Sequence, residues 1–273
     1  MSEKKDINIL LEYIPIFTVW KKLLGLYVFQ IIIFILLMIL FWWISSLLFL
    51  GSVIGQLLIS SILVIYFIYI ANNSEKIKNR YRKRYGKLAG QKFWLNYLSY
   101  INPIVSAAFY FPLLLITYEF PPFQLIDIPP HIMSTSLLPI YFSLPIGIII
   151  VIFGLLIRKP SGGYGVDVDS YLYMIFPEKS RLIKNGIYKY IRNPQYLCRG
   201  IIAIGFGFIA NNINAILVGI IHFLSYCAII PSEDKELIRR FGGEFKKYKK
   251  SVPALFPKYG NWKKFLKIIF VKQ

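Results

Sequence analysis

The sequence predicts an all-α polytopic membrane protein of about six transmembrane segments, including a short C-terminal helical hairpin, with amphipathic helices lying in the membrane interface. Three observations carry this. First, 56% of the 273 residues are hydrophobic, above the roughly 45–50% of soluble domains. Second, the apolar residues fall in long uncharged runs. Third, the net charge of +19, from 32 Lys+Arg against 13 Asp+Glu, sits between those runs. A surplus of that size fits either nucleic acid or a membrane surface. The uncharged runs decide for the membrane, so membrane lipids are expected partners and nucleic acid is not.

The spans follow in order. Leu23–Ser74 is uncharged over 52 residues, too long for one crossing of a ~30 Å hydrocarbon core, which takes about 20 residues. A turn at Leu50-Gly51-Ser52 divides it into spans near 25–48 and 52–71. A third uncharged stretch runs from Phe93 to Tyr118 with Pro103 and Pro112 inside it, and a fourth from Ile132 to Ile157. Prolines are tolerated in a span where neighbours satisfy the freed carbonyls.

Loop charge sets the expected sides. Residues 74–92 hold eight Lys/Arg and one acid, and residues 118–135 hold none of the former. Residues 158–199 hold eight basic residues against three acids, and the stretch from 233 onward twelve against four. Basic loops stay cytoplasmic, so both termini are expected inside. Residues 200–232 carry no formal charge between two basic flanks and must therefore cross an even number of times. "ANNIN" at 210–214 supplies the turn, leaving two legs of about 15 residues, each ~22 Å of helix.

No internal repeat is apparent, and no cleavable signal peptide is expected of "MSEKKDINILLEYIP". The Pro/Gly-rich "RKPSGGYGVDVDSY" at 158–171 is the natural boundary. It separates an N-terminal transmembrane region, 1–157, from a chemistry-bearing region, 158–257. The tail 258–273 reads as an interfacial amphipathic helix, with Trp262, Phe265, Leu266 and Ile269 set against Lys263, Lys264 and Lys267. The basic, aromatic 74–100 stretch reads the same way. Cys198 and Cys227 suggest neither a disulfide framework nor a zinc site, and no metal is expected.

Pairing about the turn brings together residues whose numbers sum to about 425. Arg192 then lies level with Glu233, and Asn193 with Ser232. The simplest reading is an Arg–Glu pair anchoring helix ends beside an aromatic belt. Tyr188, Tyr190 and Tyr196 beside Arg192 add a second possibility. Aromatic faces with a carboxylate suit a purine-bearing, zwitterionic cofactor with a sulfonium cation.

The order "NGIYKYIRNPQY", apolar hairpin, "EDKELIRRFGGEFKKYKKSVPALFP" resembles the integral-membrane S-adenosylmethionine-dependent methyltransferases. These include isoprenylcysteine carboxyl methyltransferases and phospholipid N-methyltransferases. The resemblance covers roughly residues 180–257. It implies S-adenosylmethionine as cofactor, held by Leu182, Ile183, Tyr188, Asn193, Pro194, Gln195, Tyr196 and Glu233. It also implies Arg192 and Asp234 as catalytic residues, and a lipophilic small molecule or lipid-modified substrate. Gly242 matches the glycine of the family's Phe-Gly pair.

Three departures stand out. Asn193 replaces a histidine, and Cys198 a small glycine. The "AIIPS" before the acidic pair lacks the arginine that suits a substrate carboxylate, so a prenylcysteine carboxylate is put in doubt and a lipid amine is at least as well favoured. A membrane reductase using NADPH is the second enzymatic reading. Its related element calls for an acid where Arg199 stands and an asparagine where Gln195 stands. A non-catalytic relative is the third. His222, alone in an apolar run, is expected to be hydrogen-bonded structure. Gly205 and Gly207 are expected to allow close helix packing.

Overall fold

The computed structural model describes residues 13, 15, 19–47, 50–115, 136–161 and 173–270. The expected outer loop at 118–135 and most of the 158–171 boundary lie outside these residues. Among the described residues there is no strand, only an isolated bridge between Ser136 and Asn212. The chain is an all-α, multi-pass membrane protein. Among the described residues, five helical stretches are long and apolar enough to cross a bilayer, and Pro194–Ile209 is a shorter apolar sixth.

Helices α1 (Trp20–Leu47) and α2 (Gly51–Asn72) form the first pair. The turn at Leu50 falls where the sequence placed it. Many of α1's large apolar side chains, such as Ile31, Leu36 and Ile39, stay exposed, as befits a lipid-facing surface. Beyond Asn73 the chain continues as the basic helix α3 (Ser74–Tyr85), which ends at Gly86 with φ +53. A conformation of that kind favours glycine.

The third span is broken. Helix α4 (Ala89–Asn96) passes into a π-turn at Tyr97–Ile101, then α5 (Asn102–Tyr110), and a 3-10 turn at Phe111–Leu115. Pro103 and Pro112 account for the last two changes, since each removes a backbone donor. The fourth span is α6 (Ile140–Arg158).

The hairpin is α7 (Pro194–Ile209) and α8 (Ile213–Phe241). Its legs are unequal, which corrects the expected pair of 15-residue legs. Helix α8 has 29 residues, because nothing in "SEDKELIRRF" breaks a helix until Gly242. Asn211 forms the turn at φ +54, an angle asparagine tolerates. Its side chain donates to Leu138 O (2.8 Å) and accepts from Leu138 N (3.1 Å), tying the turn to the start of α6. Asn212 caps α8 by accepting from Asn214 N at 2.8 Å.

Helix α7 packs between α6 and α8, and α8 packs in turn on α2. Close approach rests on small residues: a Cβ on Gly207 would lie 2.7 Å from Ile216 Cα. On the basic side, Arg239 of α8 donates to the terminal carbonyls of α2, Ala71 O and Asn72 O. Helix α9 (Gly243–Ser251) follows, then α10 (Trp262–Phe270). The tail differs from a purely interfacial anchor. Phe265 and Ile269 are buried against Ile157, Ile187, Ile191 and Leu197, so the protein itself covers much of the apolar face.

Candidate active site

The threshold of α7 is built by a neighbouring loop. Arg192 N donates to Pro253 O and Asn193 N to Ala254 O, both at 2.9 Å. Asn193 Nδ2 also donates to Ala254 O at 3.3 Å. "IRNP" and "VPAL" thus run side by side, and Pro194 starts the helix where its fixed φ suits the first turn.

The acidic pair then divides. Successive residues of a helix point about 100° apart, so Glu233 and Asp234 serve different neighbours. Asp234 Oδ2 lies 3.1 Å from Arg192 Nη2 and 3.0 Å from Lys249 Nζ, with the Arg192 and Asp234 side chains 7% and 6% exposed. Arg192 Nη1 also donates to Lys249 O at 3.4 Å. The expected partner of Arg192 was Glu233; its observed partner is Asp234, one residue further on. Glu233 instead accepts a short hydrogen bond from the Tyr196 hydroxyl.

Tyr196 stacks on Tyr226, with ring centroids 4.8 Å apart and planes at 13°. Tyr226 meets His222 edge-on at 4.9 Å. This column of rings runs from Glu233 toward the middle of α8. Beside it lies a cavity of about 650 Å³, bounded by α2, the α4–α5 stretch, α7 and α8. That volume is ordinary for a small-molecule site.

Of the residues implied by the resemblance, Tyr188, Asn193, Pro194, Gln195, Tyr196 and Glu233 line this cavity, and so does Arg192. Three do not. Leu182 packs against Phe245, Tyr248 and Val252, and Ile183 is exposed. The chain there leads to a turn at Gly186 with φ +61, outside the cavity mouth. Asp234 is the third: its carboxylate is engaged by Arg192 and Lys249, and it is not among the lining residues. The residue expected to be catalytic thus faces Arg192 and Lys249.

The wall near Tyr188 is also braced. Tyr188 Oη and Gln195 Nε2 both donate to Ser161 O, at 3.0 and 3.3 Å. Tyr248 Oη donates to Tyr188 O at 2.7 Å. Burial is the main reason the Tyr248 phenol titrates well above its ordinary range, so it remains a donor there.

Several lining residues escaped the sequence reading: Arg158, Arg199, Tyr226, Glu236 and Arg240, with Tyr66 and Tyr97 from the front half. Arg199 had a usable signal. It follows Tyr196 by three residues on one helix face, and the sum of 425 sets it level with Tyr226. No pattern pointed to Tyr66 or Tyr97. His222, expected to be hydrogen-bonded structure, has such a contact at one ring nitrogen. Its Nδ1 has one long contact, 3.5 Å to Gln56 Nε2, and its Nε2 has no hydrogen-bond partner.

With this geometry in place, the comparisons can be read. Residues 142–244 match the phospholipid methyltransferase family. The protein-S-isoprenylcysteine O-methyltransferase of Schizosaccharomyces pombe (strain 972 / ATCC 24843) is 26% identical over 93 residues, 33% of this chain and 39% of that protein. Over this region the chain is similar to integral-membrane methyltransferases. The matched region begins in α6, contains the whole hairpin and ends in α9, so it holds both the ion-paired threshold and the ring column. The nickel-cobalt-cadmium resistance protein NccN of Alcaligenes xylosoxydans xylosoxydans is 34% identical over 88 residues, 32% of this chain and 41% of that protein. The chain thus spans about two fifths of the length of these curated relatives. No solved structure matches it significantly.

Proposed function

We propose that this protein is a membrane-embedded methyltransferase that takes its methyl group from S-adenosylmethionine and transfers it to a lipophilic acceptor. The observation that carries the reading is the placing of Glu233. Its carboxylate sits at a cavity wall, bonded to a tyrosine that stacks on a second tyrosine. When bound, S-adenosylmethionine supplies an electrophilic methyl group on a sulfonium, whose leaving thioether needs no proton.

This chain's residues fit such a molecule. Glu233 offers an anion for an α-ammonium group. The Tyr196 and Tyr226 faces suit a purine or a sulfonium. Asn193, Pro194 and Gln195 present the first turn of α7 at the cavity edge. Arg192 and Asp234 hold that turn against α8, so their contribution is orientation, which counts heavily in an in-line transfer. The basic residues at this end favour the cytosolic side. The donor would then enter from the cytosol, and the acceptor from the bilayer through the α2 and α5 side.

Calorimetry on the detergent-purified protein tests this. S-adenosylmethionine should bind the wild type, and Glu233→Ala should abolish binding while the melting temperature holds. Equal affinity in the two proteins, or binding of NADPH in place of the methyl donor, would overturn the reading.

A further inference from the structure

Helix α10 stands behind the wall whose front faces the cavity. It exposes Lys263, Lys264 and Lys267 and turns Phe265 and Ile269 inward, where they are 1% and 4% exposed. A purely interfacial helix gives its apolar stripe to lipid. Here the stripe meets the turn Gly186–Lys189, the end of α6, and the turn Lys159–Ser161 that follows it. The Tyr190 ring also meets Phe265 edge-on, with centroids 6.5 Å apart.

These elements present one face to the tail and the other to the cavity. Ile187 and Ile191 are fully buried in the cluster that Phe265 and Ile269 complete, while their chain neighbours Tyr188 and Arg192 line the cavity. Leu197 belongs to the same cluster, and Tyr196 before it bonds to Glu233 and stacks on Tyr226. Ile157 and Arg158 repeat the division at the end of α6. The Ser161 carbonyl, in a turn packed on α10, accepts from both Tyr188 Oη and Gln195 Nε2.

We propose that α10 is a brace for the donor site, in which Phe265 and Ile269 act as positioning residues for Tyr188, Arg192 and Tyr196. Neither lines the cavity; they fix from behind the chain whose other face does. Close-packed interiors pass a displacement on instead of absorbing it. A shift of about 1 Å at a reacting centre costs on the order of a hundredfold in rate, so a void beneath Ile187 and Ile191 is felt in the cavity. What the braced site binds rests on the methyltransferase reading above; the brace itself rests on packing. Helix α10 lies beyond the matched residues 142–244, so its role is read from this chain's own contacts.

The test uses the purified full-length protein in detergent. Phe265→Ala removes the wedge and Phe265→Leu keeps most of its volume. Phe41→Ala is the control, cutting a buried ring from α1 at its contact with Phe111, outside the cavity lining. Hydrogen–deuterium exchange without ligand reads the brace directly. In Phe265→Ala the amides of residues 186–197 should exchange at least about tenfold faster, with α2 unchanged; in Phe41→Ala residues 186–197 should keep their protection. Calorimetry then reads the consequence at a temperature where every variant is folded. Affinity for S-adenosylmethionine should fall by about tenfold or more in Phe265→Ala and stay within about twofold of wild type in Phe265→Leu and Phe41→Ala. Ile269→Ala should move both readouts in the same direction by less, and it carries the test if Phe265→Ala does not fold. Unchanged exchange at 186–197, or unchanged donor affinity, would overturn the proposal. Equal losses in Phe41→Ala would overturn it too, since general stability would then explain them. A wild type that binds no donor strikes the methyltransferase reading instead, and the exchange data still decide the brace.

Discussion

The two ends of the C-terminal hairpin handle buried charge in opposite ways. At the basic end, Arg192 and Asp234 are almost wholly buried and ion-paired, with Lys249 Nζ beside the carboxylate and Lys249 O beside the guanidinium, and Arg192 Nε alone is left without a partner. Some two turns deeper, Arg199, Tyr226 and His222 line the cavity, and Arg199 has a phenol beside it in place of a carboxylate. Both clusters cost desolvation. The first recovers it through ion pairs, the second through ring stacking and a phenol–guanidinium contact. The lesson is that opposite charges fix the threshold of the hairpin, and aromatic rings line the space behind it.

That contrast can be attacked in several places. The largest effect is expected at the ion-paired end. Asp234→Ala strands the Arg192 guanidinium and should cost on the order of 3–5 kcal/mol, the range for breaking a buried pair. Thermal unfolding in detergent should show it, with donor binding lost only as the fold is lost. Next comes Gly207→Val. Its side chain would meet the α8 backbone at Ile216, and overpacking of this kind costs about 1–3 kcal/mol. Here a lowered melting temperature should accompany weakened ligand binding, because the hairpin spreads.

A third change separates stability from binding. Tyr196→Phe removes the bond to Glu233 but keeps the stack on Tyr226. Donor affinity should fall by about tenfold, the scale of a hydrogen bond to a charged group, while the melting temperature moves little. Tyr248→Phe is the converse probe. It deletes one hydrogen bond to Tyr188 O and should cost about 1 kcal/mol of stability, with donor affinity little changed.

The smallest effect lies away from both clusters. Glu178 receives two bonds from Arg82, at 2.6 and 2.7 Å. Burial raises its pKa, but the bond and charge of Arg82 outweigh that, and the net direction is downward. The pair's stabilisation is therefore complete above the ordinary carboxylate range and fades as pH falls through the lowered value. Both side chains are partly exposed, so the contribution is at most about 1 kcal/mol. Comparing wild type with Arg82→Gln across an acid titration of melting temperature would reveal it.

Much of this architecture was legible because lipid imposes a simple rule on charge. Uncharged runs and basic loops located the first two spans, α6 and the hairpin turn. Counting about that turn brought the right neighbourhoods together and missed the partner of Arg192 by one residue. The miss has a physical source: adjacent helical residues diverge by about 100°, and a sum of residue numbers carries no azimuth. The length of α8 was misjudged for a different reason. The count ended the helix where the charges began, although charged residues are good helix formers. The π-turn at 97–101 and the placing of Tyr66 and Tyr97 at the cavity had no local signature, since they depend on packing between distant spans. Arg199 was visible and was assigned to the loop edge, because a basic residue beside an apolar run reads as a boundary marker.

The long course of α8 has one more consequence. A single helix carries Tyr226, Glu233 and Arg239, yet Pro231 stands between the first two and removes the amide that would otherwise bond to Cys227 O. The rod is pinned at the far side by Asn212 and at the near side by its grip on α2. Bending between those two pins therefore concentrates at the proline turn, which makes it the joint that sets the angle between the ring column and the Glu233 carboxylate.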